Sequence, residues 1–519
     1  MELQIPSLFP ILFTFFVFMF MVVKIFKQVK TVKQTSKLPP GPWKLPIIGN
    51  LHQLVSSLPH RAFTDLAKKH GPLMYLRLGQ VPTIVVSSPE FAKEVMTTHD
   101  VIFSSRPSLV ATEILSYNST NIAFAPYGKY WRQLRKICRQ ELLSAERVQS
   151  YQPVREEVLS NLIKWIASHV GSPINLTERI YWATFSIVSR AAFGKKSKLD
   201  QEKFIRVVKE AIKVAAGFEV ADLFPSVKIP RRFTGSRLKL ERLHQEADRM
   251  MENIINEHKV DKDEAKSGHL EKEEVLVDVL LRFHSCGETG FSLTTNNIKA
   301  VIWDIFAAGS DTSSVAVDWA MVVMIKNPRV MKKAQEEVRE VFSRKGSVDE
   351  ISISEMTYLK CIVKEILRLH PPAPLLVPRE CREKCEINGF EIPEKTRVII
   401  NASAIGRDPR YWTEPESFIP ERFLDSSIDF KGTNFEFIPF GAGRRICPGM
   451  SFGVINVELP LALLLYHFDW KLPSGMKPED MNMTEAFGAT VRRRDDLQLV
   501  PIAYHPSPSE KIAQEKLSN

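Results

Sequence analysis

A glycine-rich segment around one cysteine constrains this 519-residue chain more than any other part of its sequence. It reads Phe440-Gly441-Ala442-Gly443-Arg444-Arg445-Ile446-Cys447-Pro448-Gly449. Its glycines let the backbone turn tightly and approach a flat ligand closely. Backbone N–H groups in such a turn can donate to a metal-bound sulfur, and Arg445 can pair with a ligand carboxylate. The segment predicts a thiolate ligand at Cys447; the alternative is a glycine-rich loop with an incidental cysteine.

A second signal lies in residues 296–327, a mostly apolar run that predicts a long central helix ending before Pro328. Gly309 breaks this pattern, at a cost of about 1 kcal/mol relative to alanine. Asp311 and Thr312 add polar groups to an apolar stretch, and local exceptions of this kind often mark functional sites. A solvated polar turn is the alternative, and the apolar flanks argue against it.

Two residue pairs carry weaker signals on predicted helices. Glu365 and Arg368 are three residues apart, and Trp131 and Arg135 are four apart, so each pair shares one helical face. Either pair alone occurs often by chance.

Taken together and in order, these segments resemble the cytochromes P-450, whose haem loop has the pattern Phe-x-x-Gly-x-Arg-x-Cys-x-Gly. The resemblance implies that Cys447 is the axial ligand of haem b. It implies that Thr312 hydrogen-bonds bound dioxygen and that Asp311 supports proton delivery. Arg422, in Pro420-Glu421-Arg422-Phe423, would join Glu365 and Arg368 in a buried structural triad. The other cofactor-binding residues that the resemblance implies are Arg445, Trp131, Arg135, Arg379, Phe440, Gly443 and Gly449.

The implied fold is mainly α-helical with small β-sheets, the P-450 fold behind a single N-terminal transmembrane helix. Alternating residues at 72–87 predict a β-hairpin, and short strands are expected at 375–378, 386–392 and 397–400.

Residues 5–23 are almost wholly apolar and long enough to approach the width of a bilayer core. Lysines follow directly, which favours a retained anchor with the remaining chain in the cytosol over a cleaved signal peptide. The predicted organisation is an anchor at 1–23, a basic and proline-rich tether at 24–43, a catalytic domain at 44–505 and a polar tail at 506–519. The expected location is the endoplasmic reticulum membrane.

Charge and cysteine content exclude other classes. The net charge is +10, but basic and acidic residues are interleaved, so nucleic-acid binding is not expected. Six cysteines in 519 residues indicate a reducing compartment. The pair Cys381 and Cys385 could suggest half a zinc site, although two unrelated thiols fit better.

The resemblance implies a monooxygenase that uses dioxygen and electrons from NADPH-cytochrome P-450 reductase, and the chain has no dinucleotide-binding fingerprint of its own. It is most similar to the plant microsomal branch of terpenoid and alkaloid oxidases, so a lipophilic terpenoid (a sesquiterpene or diterpene) is the expected substrate. Alternatives are an alkaloid or phenolic hydroxylase, a reductase-independent isomerase or dehydratase, and a non-enzymatic haem or ligand carrier. The predicted pocket residues are Leu115, Ile302, Phe306, Ala307, Ala308, Leu375, Val377 and Phe487.

Overall fold

The computed structural model of the protein describes residue 19 and residues 37–504, except 56, 196–199, 216–218, 228–234, 266–273, 286–291 and 347. The α-helices are α1 Pro59–His70, α2 Pro89–Lys93, α3 Asp100–Phe103, α4 Val110–Leu115, α5 Lys129–Ile137, α6 Ala145–Ser150, α7 Gln152–Ala167, α8 Leu176–Phe193, α9 Gln201–Val214, α10 Val220–Leu223, α11 Gly235–Ala265, α12 Leu276–Ser285, α13 Thr295–Lys326, α14 Pro328–Lys345, α15 Thr357–Leu369, α16 Ala402–Ile405 and α17 Met450–His467. The strands are β1 Leu73–Leu78, β2 Val81–Val86, β3 Ile174–Asn175, β4 Arg379–Glu380, β5 Cys385–Ile387, β6 Phe390–Ile392, β7 Arg397–Ile400, β8 Phe468–Lys471, β9 Glu485–Ala486, β10 Arg492–Arg493 and β11 Gln498–Ala503. The predicted helix-rich fold with small sheets is confirmed.

The predicted central helix is α13, and it crosses the main hydrophobic core beside α8 and α17. A reciprocal cap starts it: the Asn297 N–H donates to the Thr294 hydroxyl, and the Thr294 N–H donates to the Asn297 side-chain oxygen. It ends before Pro328, which begins α14. Thr312 therefore lies near the middle of a helix that is capped at its start and ends before a proline.

The largest sheet has the strand order β1-β2-β7-β4, and its β1–β2 hairpin confirms the one predicted at 72–87. The prediction of a strand at 375–378 is wrong, because the residues that pair with β7 are the next two, Arg379 and Glu380. Prolines at 374 and 378 have no N–H to donate, and Leu376 has a φ of +50°, so this segment turns instead of pairing. A second sheet has the order β3-β11-β8, and β5–β6 and β9–β10 form separate pairs.

The end of the predicted tether is packed on the body of the protein. The Tyr75 N–H donates to the Pro40 carbonyl at 2.9 Å, and a side-chain carbon on Gly41 would lie 2.1 Å from the Tyr75 carbonyl oxygen. The described part of the tether, 37–43, is thus attached to β1. Apart from residue 19, the predicted anchor lies outside the described residues, as does the predicted tail at 506–519.

Among the described residues, one helix is long and apolar enough to cross a membrane, namely α17. Most of α17 is buried inside the protein, in contact with the central helix. Its composition is that of a core helix, and it begins three residues after Cys447.

Candidate active site

Cys447 lies in a tight loop just before the first residue of α17. The Cys447 N–H donates to the Phe440 carbonyl at 3.0 Å and closes the loop. Gly443 has a φ of +68°, and a side-chain carbon there would lie 2.0 Å from the Met96 carbonyl oxygen, so only glycine fits. Burial raises the pKa of the Cys447 thiol, whereas the Gly449 N–H and a nearby arginine lower it. The loop holds the sulfur beside two groups that stabilise its anion.

Four arginines line the cavity that Cys447 faces: Arg106, Arg135, Arg379 and Arg445. Most of their hydrogen bonds go to backbone carbonyls, and within the described ranges their one ion pair joins Arg379 to Asp100 at 3.3 Å. Burial, then repulsion from Arg379 and Arg135, lowers the pKa of Arg445 to about 9. Burial and the same repulsion lower the pKa of Arg106. The cluster is short of negative charge, and a ligand with two carboxylates would complement it.

Trp131 stacks under this cluster. The guanidinium carbon of Arg445 lies 4.0 Å from the centre of the Trp131 ring, and the indole N–H donates to the Ile122 carbonyl at 2.9 Å. Arg135, one turn further along α5, donates to the carbonyl of Ile446, the residue before Cys447, at 2.5 Å. The structure thus brings the predicted α5 pair to the wall of the cavity.

Two cavities adjoin at the central helix. The thiolate cavity, which contains Cys447 and the four arginines, has a volume of about 300 Å³. The second cavity has a volume of about 310 Å³ and is lined mainly by apolar side chains. Residues that line both are Ala123, Asp304, Ala308, Thr312, Ala373, Leu376 and Val377. A ligand in the second cavity can therefore reach the space above the cysteine.

Asp311 and Thr312 point in different directions from α13. Thr312 lines both cavities, and its hydroxyl donates to the Ala308 carbonyl at 2.6 Å. The buried Asp311 carboxylate lines neither cavity and accepts a hydrogen bond from the Thr490 hydroxyl. Burial raises the pKa of Asp311. Since Thr490 lines the second cavity, Asp311 is connected to it through one hydroxyl.

Glu365, Arg368 and Arg422 form a closed ionic network away from both cavities. The Glu365 carboxylate accepts from Arg368 at 2.7 and 2.8 Å and from Arg422 at 3.0 Å. It also accepts the Ile419 N–H at 2.9 Å, and Arg368 donates to the Gly406 carbonyl at 2.7 Å. These contacts tie α15 to the chain that leads to the thiolate loop, which is a structural arrangement.

A family model described as Cytochrome P450 matches residues 39–499, which span all of these elements. The chain belongs to the cytochrome P450 family. It is a P450 monooxygenase, and the cofactor of the family is haem iron held by a thiolate.

Curated relatives and solved structures agree with this assignment. The P450 is 52% identical over 496 residues to premnaspirodiene oxygenase of Hyoscyamus muticus, covering 96% of this chain and 99% of that protein. It is 55% identical over 488 residues to desmethyl-deoxy-podophyllotoxin synthase of Sinopodophyllum hexandrum, covering 93% and 96%. A zebra fish cytochrome P450 solved with progesterone has a TM-score of 0.73 and 24% identity, covering 86% of this chain and all of that one, which shows the fold.

The residues of the thiolate cavity fit a haem. Cys447 would supply the axial sulfur, and the glycine-rich loop leaves room for a flat macrocycle beside it. The two propionates of a haem would provide the negative charge that the four arginines lack. Phe440 and Gly449 also line this cavity, whereas Gly443 shapes the loop from behind.

Two predicted pocket residues lie outside both cavities. Ile302 and Phe306 are fully buried and line neither cavity; Phe306 stacks on Phe193 at 5.0 Å, on the α8 side of the helix. Residues two apart on a helix lie about 200° apart around its axis, so 302 and 306 point away from 304 and 308. The other predicted pocket residues line the second cavity: Leu115, Ala307, Ala308, Leu375, Val377 and Phe487.

Asp304 is a cavity residue that the sequence analysis missed. Its carboxylate accepts the Asn121 amide at 2.5 Å and the Ala123 N–H at 2.9 Å, which joins the central helix to the loop over the cavities. Burial raises the pKa of Asp304 to about 7. The signal was present: Asp304, Ala308 and Thr312 are spaced by four, so they share one helical face.

Cys381 and Cys385 are free thiols, and the Cys381 Sγ donates to the Glu383 carbonyl at 3.0 Å. The described part of the chain contains no group of three His, Cys, Asp or Glu side chains that could hold a metal ion. A second pair of zinc ligands beside the two thiols is therefore absent from these residues.

Proposed function

We propose that this P450 is a membrane-bound monooxygenase that takes electrons from NADPH-cytochrome P450 reductase and hydroxylates a lipophilic plant terpenoid, a sesquiterpene or diterpene. The observation that carries the substrate class is the second cavity, an apolar space that opens at Thr312 onto the thiolate cavity. Its volume of about 310 Å³ lies at the small end of ligand pockets, which suits a compact hydrophobic molecule. Premnaspirodiene oxygenase, a relative at 52% identity, is by its name a terpenoid oxidase and supports the same class.

When bound, the haem supplies the activation of dioxygen and the transfer of one oxygen atom to a C–H bond. The protein supplies position and protons. The Gly449 N–H and Arg135 stabilise the Cys447 sulfur as an anion. Thr312 presents its hydroxyl at the junction of the cavities, and Asp311 can pass a proton towards the second cavity through Thr490.

Reductase and membrane dependence rest on separate features. Arg444 lies three residues from Cys447 and is about half exposed, so it offers a cation on the surface behind the thiolate. We infer that an acidic reductase surface docks there, because electron transfer needs close approach to the haem. The apolar residues 5–23 followed by lysines support anchoring in the endoplasmic reticulum membrane with the catalytic domain in the cytosol.

A phenolic substrate is the second candidate, because a relative at 55% identity is named for a podophyllotoxin-type lignan. The apolar lining of the second cavity favours the terpenoid. The Thr312 hydroxyl and the Asp311–Thr490 contact have no use in a haem carrier or in a peroxide isomerase that works without a reductase.

Cells that express the chain with a plant P450 reductase should be fed sesquiterpenes, diterpenes and lignan phenols in parallel. We expect a hydroxylated terpenoid by mass spectrometry, with matching consumption of NADPH and dioxygen. Product formation without reductase would contradict the monooxygenase mechanism. Oxidation of the lignan alone would replace the terpenoid proposal with the phenolic one.

A further inference from the structure

Several buried polar side chains line the part of the second cavity that is not shared with the thiolate cavity, and two of them, His60 and Arg397, carry titratable or charged groups. They are 3% and 5% exposed, respectively. Arg397 comes from β7, which pairs with β2, and His60 comes from α1, which packs beside the same sheet. Neither side chain lines the space around Cys447, so they mark a region of the cavity away from the reacting centre.

His60 is held by a carboxylate on one side only. Its Nε2 lies 3.1 Å from the Glu485 carboxylate, which also accepts from Arg61 at 2.9 Å. Burial alone would raise the pKa of Glu485, but these hydrogen bonds hold that pKa at about 2. Glu485 is therefore ionised and can only accept, so the His60 Nε2 that it contacts must carry a proton. The other ring nitrogen, Nδ1, has no hydrogen-bond partner within the described residues. When Nε2 carries the only ring proton, Nδ1 of His60 is a buried acceptor.

Arg397 offers the complementary group. One terminal nitrogen donates to the Asp222 carbonyl at 3.3 Å, but Nε has no partner in the described part of the chain. A guanidinium is always protonated in proteins, so this Nε–H is a donor and never an acceptor. Buried polar atoms are nearly always paired, and an unpaired buried atom on a residue that lines a cavity points to a ligand that supplies the partner.

A hydroxyl group matches both atoms, because it can donate to an imidazole nitrogen and accept from a guanidinium N–H. A hydrocarbon can satisfy neither, and a ketone can satisfy only the arginine. We propose that the substrate of this P450 already carries a hydroxyl group, which binds at His60 and Arg397 while another carbon of the molecule lies beside Thr312. The proposal rests on the proposed terpenoid function and deepens it.

This inference places the reaction in a sequence. The substrate must come from a step that installs an alcohol, either an earlier hydroxylation or a cyclisation that ends with the addition of water. The P450 then adds its oxygen at a distant carbon, and the product is a diol or a further oxidised alcohol.

Three C15 probes of one carbon skeleton test the subsite: valencene, nootkatone and nootkatol, which differ in carrying no oxygen, a ketone or a hydroxyl. Their affinities for the full-length haem-loaded protein are measured by the Soret shift and by equilibrium dialysis. We expect nootkatol to bind at least about tenfold more tightly than valencene, which is about 1.4 kcal/mol, with nootkatone between them. Arg397→Met and His60→Phe should each reduce this ratio by at least about threefold, and Arg397→Lys should restore part of it.

Thr112→Val is the matched control. Thr112 also lines the second cavity, but its hydroxyl already donates to the Leu109 carbonyl at 2.9 Å, so the substitution should change both affinities by the same factor. An unchanged ferrous–CO spectrum shows that each variant is folded with its haem. Equal binding of valencene and nootkatol would overturn the subsite. An affinity ratio that is unchanged in both Arg397→Met and His60→Phe would also overturn it. Either result would leave the proposed function standing. Failure of every probe to bind would overturn the proposed terpenoid class and, with it, the subsite.

Discussion

The thiolate side of this P450 and its second cavity are built from different kinds of interaction. On the thiolate side, glycines are required by backbone geometry, as for Gly443 against Met96, and the ionic network that supports the loop from outside the cavities is closed, as for Glu365 with Arg368. The second cavity is formed by apolar side chains from distant segments, such as Leu115 and Phe487. The directional hydrogen bonds and ion pairs near the thiolate indicate the class of reaction. The apolar packing of the second cavity does not by itself determine the shape of the substrate.

The largest effect is expected on the thiolate side, from Glu365→Gln. The substitution leaves the buried Arg368 and the partly buried Arg422 without their shared carboxylate, which should lower the free energy of unfolding by about 3–5 kcal/mol. Chemical denaturation followed by circular dichroism measures the loss. Glu336→Gln is the control, because Glu336 is exposed and has a 3.8 Å contact with Lys332. Equal, small losses in both variants would contradict the structural role of the network.

Arg445→Met should weaken haem retention, because it removes one buried cation from the cluster that lacks negative charge. Charge-assisted hydrogen bonds contribute about 1.5–3 kcal/mol, so haem loss to an acceptor globin should be roughly 10- to 100-fold faster. Arg444→Met, the exposed neighbour, should leave the rate unchanged. If the two variants lose haem equally fast, the arginine cluster is not the propionate site.

Thr312→Val tests the junction between the two regions. It keeps the shape of the side chain and removes the hydroxyl, so product per NADPH consumed should fall by at least about tenfold. Ser314→Ala provides the comparison, since the Ser314 hydroxyl donates to the Asp311 carbonyl and lines neither cavity. Unchanged coupling in Thr312→Val would contradict the predicted role of the Thr312 hydroxyl, which is to hydrogen-bond bound dioxygen.

Asp304→Asn should have the smallest effect, visible as a pH dependence. Burial raises the folded pKa of Asp304 from 3.8 to about 7, so the folded protein holds this proton more tightly than the unfolded chain does. The stability from this group is therefore present at low pH and is lost as pH rises through 7. From pH 6 to 8 the wild type should lose about 1.4 kcal/mol of unfolding free energy relative to the variant. Denaturation at three pH values measures this; a difference that does not change with pH would contradict it.

The same contrast explains what could be predicted from the sequence. The thiolate loop, the long helix and the triad residues carry glycines, charges and spacings that only a few arrangements satisfy, so their positions followed from the motifs. The resemblance implies pocket contacts at Ile302 and Phe306, yet it does not determine which face of a buried helix each side chain occupies. The segment 375–378 turns instead of forming the expected strand, because Pro374 and Pro378 have no N–H to donate and Leu376 has a φ of +50°.

His60 and Arg397 were missed for another reason. They come from two separate elements, α1 and β7, and only the fold brings them to the cavity wall. Their significance depends on which of their atoms remain unpaired after folding, which no local motif encodes. The sequence therefore predicts the reaction of this P450 better than its substrate.

The central claim, that Cys447 is the thiolate ligand of the haem, is tested most directly by the ferrous–CO spectrum of Cys447→Ser. We expect the strongly red-shifted Soret band to disappear, because a serine oxygen cannot replace the donor sulfur. Cys138→Ser is the matched control: Cys138 is also buried and lines the same cavity, so its replacement should leave the band in place. A red-shifted band that persists in Cys447→Ser would contradict the account.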